Sequence, residues 1–150
     1  MPVSRRARRV ALWIVVGVLA IQLFPAWLWQ TNPPVVREPA WDGPLTQRLA
    51  RNACYDCHSN ETVWPAYARI APVSWLVTSD VVSGRRVLNF SEWGVARAVA
   101  AGQRKGPEDV VKAVRDGEMP PEIYSSMHAA ARLDEPSRAD LIRGLRLSLR

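Results

Sequence analysis

An all-α fold is predicted for this chain: a single N-terminal transmembrane helix followed by a small helical domain. Three observations predict it. A run of 20 uncharged residues lies near the start, apolar residues return at helical spacing in the C-terminal half, and no stretch alternates apolar and polar residues with period two. A length of 150 residues suits one such domain.

The uncharged run, VALWIVVGVLAIQLFPAWLW at residues 10–29, would reach about 30 Å as a helix, the thickness of a bilayer core. Trp13, Trp27 and Trp29 lie near its two ends, where amphipathic rings favour the headgroup region. Arg5, Arg6, Arg8 and Arg9 precede it, so the positive-inside rule keeps residues 1–9 in the cytoplasm and sends the C-terminal body outward. A cleaved signal peptide shares such a basic start. The segment ends in Trp27-Leu28-Trp29-Gln30, however, without the small-x-small pattern of a cleavage site, so residues 10–29 read as an uncleaved signal anchor.

Those four arginines also account for most of the net charge of +6, leaving about +2 over residues 10–150. Acidic and basic residues mix through the body as on a solvated surface. With no basic stripe interleaved with aromatics, nucleic acid is not an expected partner.

Residues 30–42 form a linker stiffened by Pro33, Pro34 and Pro39. It serves either as a stalk holding the domain off the membrane or as an irregular strap lying on it, with Trp41 as anchor. The domain itself spans 43–150. Pro44 opens a short helix over Leu45–Ala53. A second helix begins near Val73, with Trp75, Val82 and Leu88 expected on its inner side. NFSEWGVARAVAAG reads as a loop and a further helical stretch. Pro107, Glu108 and Asp109 suit a helix start, and Gly117 its end. From Pro136, Leu141, Ile142, Leu145 and Leu149 share one face, with Asp134 as N-cap.

The two cysteines of the chain and one of its two histidines stand together in Cys54-Tyr55-Asp56-Cys57-His58. A redox disulfide of this spacing belongs to a βαβ context, which a helical pattern does not offer. Zinc needs four ligands, and Cys54, Cys57, His58 and His128 only just meet the count, with adjacent Cys57 and His58 awkward on one tetrahedral ion. Haem fits best: two thiols add across the porphyrin vinyl groups, and the next residue, His58, becomes the proximal iron ligand. The attachment is extracytoplasmic chemistry, in agreement with the anchor.

For the distal side of the iron, Met119 is the expected ligand. It sits in GEMPP, where Gly117 and two prolines make a stiff loop able to present one weak thioether. His128 is the alternative ligand, giving bis-imidazole ligation, and Met127 is expected to pack. Trp64, Tyr67, Trp75 and Trp93 either wall the haem or form general core. Arg85 or Arg86 either pairs with a propionate or is solvated. Asn60 and Thr62 are expected to shape the backbone after the motif.

The stretches CYDCHSNETVWPAYARIAPVSWLVTSDVVSGRRVLNFSEW, GEMPPEIYSSMHAAARL and LIRGL, with NPP after the anchor, resemble the bacterial haem-binding domain family. These are small membrane-anchored proteins related to c-type cytochromes. The resemblance covers roughly Thr31 to Leu145. It implies a cytochrome c-like helical domain, haem c held covalently by Cys54 and Cys57, and His58 as axial ligand. The functional expectation is a monohaem electron-transfer cytochrome rather than an enzyme. It would be bound to the bacterial inner membrane by one pass, with its domain in the periplasm and a redox protein as partner. A haem-based sensor with a displaceable distal ligand is the alternative.

Overall fold

A computed structural model describes residues 4–95 and 106–150. Those residues form helices and turns, with one isolated bridge between Arg37 and Glu92 as the only strand-like pairing among them. The helical stretch expected within NFSEWGVARAVAAG falls, from Ala96 onward, outside the described residues. The chain divides into two compact units.

The first unit combines residues 1–31 with 64–79. Helix α1, Arg5–Ile21, is capped by the Ser4 hydroxyl, which accepts from the Ala7 N–H at 3.2 Å. Its 17 residues span about 25 Å. The apolar run does not continue as one regular helix. Pro25 disfavours helical backbone at Phe24, and the chain turns through residues 22–25 into a 3₁₀ turn at Ala26–Trp29. The stretch Arg5–Trp29 is long and apolar enough to cross a membrane.

Side-chain amides tie this turn to residues 66–79. Gln22 and Ala71 exchange two hydrogen bonds, Gln22 Nε2 donating to Ala71 O at 3.1 Å and Ala71 N donating back to Gln22 Oε1 at 3.0 Å. The Trp75 indole donates to Phe24 O at 2.9 Å, and Gln30 Nε2 donates to Ala68 O and to Thr78 Oγ1.

The second unit combines residues 32–63 with 80–150. It holds α2 (Pro44–Ala53), α3 (Tyr55–His58), α5 (Pro107–Arg115), α6 (Glu122–Met127) and α7 (Glu135–Ser148). Helix α4, Val73–Val87, contributes its first half to one unit and its second half to the other. Helix α7 packs on α2 and α5. It crosses α2 closely because Gly144 has no side chain; a Cβ there would overlap Thr46. Asp134 caps α7 by accepting from Ser137 N at 2.9 Å. Leu141 and Leu145 of α7, with Leu149 just past its end, join a core with Ala50, Ala53, Phe90, Val111 and Val114.

Two elements depart from the sequence reading. In α4 the buried face is Ser74, Thr78 and Val81, continuing to Leu88 beyond its end, whereas Trp75 and Val82 face outward. Small residues on the inner face allow a close approach that an indole would prevent. Residues 32–41 form a strap, not a free stalk: Val36 and Arg37 donate to Ser91 O, Glu38 accepts from Tyr55 Oη at 2.7 Å, and Trp41 packs 5.6 Å from the Phe90 ring.

Candidate haem site

The Cys54–His58 segment is one turn of helix wedged between α2 and the second half of α4. Cys54 ends α2, its N–H donating to Ala50 O at 2.9 Å, and its carbonyl then accepts from Cys57 and His58 at 3.2 and 2.9 Å. The two thiols therefore stand one turn apart, Cys54 buried and Cys57 half-buried, with no disulfide between them. Helix α4 lies directly on this turn because residue 84 is glycine; a Cβ there would collide with the Cys57 carbonyl oxygen.

That close approach fixes the histidine. His58 Nδ1 sits 3.0 Å from Gly84 O and 3.2 Å from Leu88 O. Carbonyl oxygens only accept, so Nδ1 carries the proton and Nε2 keeps its lone pair for a metal. Burial lowers the His58 pKa, opposed more weakly by the two carbonyl bonds, so the ring stays neutral as a ligand must. Burial likewise raises the Cys54 thiol to about 12 and Cys57 to about 11, so both are protonated at neutral pH.

The imidazole opens onto an apolar cavity of about 120 Å³ in the second unit. Ala53, Cys54 and His58 form one wall, Val87, Leu88 and Phe90 another, and Val110, Ala113 and Val114 of α5 a third. Met119 completes it, with Asp109 and Glu118 as the charged members of the lining. Gly117, at φ +74°, turns the chain after α5, and Met119 N donates to Ala113 O at 3.1 Å, which holds the Met119 loop against that helix. The structure thus brings Cys54, His58 and Met119 to one cavity, with Cys57 behind on the same turn.

His128 lies elsewhere. Its ring stacks on Tyr124 at 4.2 Å, and Tyr124 Oη donates to Asp56 Oδ2 at 2.7 Å. It is not part of the cavity wall. Trp64, Tyr67 and Trp75 belong to the first unit, and Trp93 stacks on Phe90 in the core. Arg85 is a brace within the second unit, donating to Ser59 O, Thr62 Oγ1 and Asn32 Oδ1. Thr62 and Asn60 do shape the backbone, bonding Asp56 O and Pro34 O respectively. Sequence reading missed Gly84, whose signal was a glycine inside a helix, and missed the Gly84 and Leu88 carbonyls, which carry no side-chain signal at all.

The donor set fits haem: a tautomer-locked imidazole, two thiols one turn apart, a thioether and an apolar wall. Zinc fits poorly, since no group of three or more His, Cys, Asp or Glu among the described residues could hold a metal. At about 120 Å³ the cavity is smaller than the roughly 300–1,000 Å³ of typical cofactor sites.

Such a fold and site define a helical haem-binding protein. The family model described as the haem-binding domain matches residues 16–146, and the chain belongs to that family. No curated protein and no solved structure matches it.

Proposed function

We propose that the protein is a membrane-anchored monohaem electron carrier, with haem c attached through Cys54 and Cys57. It works on the periplasmic side of the bacterial inner membrane and passes electrons to and from a redox protein; it is a carrier, not an enzyme. The observation that carries this reading is the convergence of His58 and Met119 on one apolar cavity. Held by His58 and Met119, a haem iron would have no open position for substrate, and an apolar wall that excludes water would favour the reduced, less charged state. Bound there, haem supplies a one-electron couple.

The chain's own residues do the rest. His58 presents Nε2 because its Nδ1 proton is committed to Gly84 O and Leu88 O. Cys54 and Cys57 would hold the haem as thioethers to its two vinyl groups, and the one-turn separation would set the reach between them. Thiols held protonated by burial resist premature oxidation before attachment. The basic N-terminus and α1 would keep the domain at the membrane, facing the periplasm.

The test is the pyridine haemochrome of protein made with the haem-attachment machinery. A c-type spectrum is expected, with Cys54→Ala or Cys57→Ala shifting it to that of a single thioether. No covalent haem would end the reading. In the oxidised protein, Met119→Ala should abolish the weak near-infrared band of His/Met ligation, and His128→Ala should keep it.

A further inference from the structure

We propose that the first unit is a membrane-docking element: residues 64–79 lie in the outer polar–apolar boundary of the bilayer, with a phospholipid phosphate in the recess beside Arg69. The inference goes beyond the electron-carrier reading but rests on the stretch Arg5–Trp29 crossing the bilayer.

Charge is the first observation. All 14 acidic side chains of the chain lie outside the first unit, which carries Arg5, Arg6, Arg8 and Arg9 at one end of α1 and Arg69 as its one other charge. A water-facing surface mixes both signs; a surface facing lipid phosphates has reason to exclude carboxylates.

Exposure is the second. Leu23, Phe24, Trp27 and Trp29 after α1 are bare, and so are Ile70, Trp75 and Leu76 in the segment bonded to them, with Ile70 at 61 % and Leu76 at 57 %. Soluble surfaces rarely gather so many large apolar side chains, and indoles concentrate at bilayer interfaces.

The hydrogen bonds settle the level. Gln22 and Ala71 are locked amide to peptide, and Trp75 donates to Phe24 O. Residues 66–79 are therefore held against Gln22–Gln30, the C-terminal end of the apolar run, which for a spanning segment is its interfacial end. A recess of about 510 Å³ lined by Trp27, Gln30, Trp64 and Arg69 lies within the same unit. The buried Trp64 N–H has no acceptor, and Arg69 has no ion-pair partner among the described residues. The exposed Arg69 guanidinium, an idle donor at an interface, matches the phosphate of a lipid headgroup.

The test is photocrosslinking of the full-length holoprotein in nanodiscs of phosphatidylethanolamine and phosphatidylglycerol. p-Benzoyl-phenylalanine replaces, one at a time, Leu12 in α1, Ile70 and Leu76 in the docking element, and Ile123 in α6. Haem content serves as the check on folding. Lipid adducts are expected at Leu12, Ile70 and Leu76, at least tenfold above Ile123. Adducts at Leu12 with none at Ile70 and Leu76 overturn the docking proposal while leaving the anchor intact, and so does an equal yield at Ile123. No adduct at Leu12 removes the anchor reading, and docking with it.

Discussion

Gly84 is the residue on which the site's geometry turns. With any Cβ there, α4 cannot rest on the Cys57 carbonyl. Gly84→Ala should therefore cost about 1–3 kcal/mol of stability, as overpacked cores do, and lower covalent haem yield; Gly43→Ala, with open space around it, should do neither. Urea titration beside haemochrome content checks both. A second prediction concerns His58. Its pKa is lowered in the folded chain below the ordinary 6.5, so the unfolded chain binds more protons in that window. Stability of the haem-free protein should accordingly fall as pH drops below about 6.5, and the fall should be flatter in His58→Gln. A urea midpoint that is level in wild type between neutral pH and pH 5 would contradict it. At this scale the site was half legible. Cys54, Cys57, His58 and Met119 announce themselves by residue type and spacing. The carbonyls that orient the imidazole do not, because every residue has one and only the packing of α4 selects Gly84 and Leu88.

Among the elements, α7 shows how far pattern reading reaches. Its leucines recur at helical spacing, and all three buried ones meet α2 or α5 residues in the core. Leu145 is fully buried, so Leu145→Ala should cost about 2–5 kcal/mol, seen as a lower denaturation midpoint with haem chemistry unchanged. Asp134 begins the helix. The hydrogen bonds from Ser137 lower its pKa, so its contribution is present above the ordinary carboxyl range and is lost as acid titrates through the depressed value. Asp134→Ala should be less stable than wild type at neutral pH and converge with it in acid. Helix α4 was less legible. Apolar periodicity selected Trp75 and Val82, yet the buried face is Ser74, Thr78 and Val81. Hydrophobicity marks which side chains prefer an apolar medium. It does not say whether that medium is the protein's own core, and in α4 the core side asks for small residues instead. The strap was legible as proline-rich but not as docked, since Asn60, Ser91 and Tyr55 hold it through long-range bonds.

On the scale of the whole molecule, the two units divide along chemistry. One gathers the thiols, both histidines and every carboxylate; the other is apolar and, where charged, only basic. This predicts that the full chain stays with membranes through an alkaline carbonate wash, and that a phosphatase reporter fused after Arg150 is active, as only a periplasmic C-terminus allows. The His58 proton adds a consequence of its own. By reaching Gly84 O and Leu88 O it adds a side-chain donor at the end of α4, where Gly84 O also accepts from Leu88 N at 2.9 Å. A metal held at Nε2 would make that proton a better donor. Occupancy of the site would then be felt as firmness at the C-terminal end of α4.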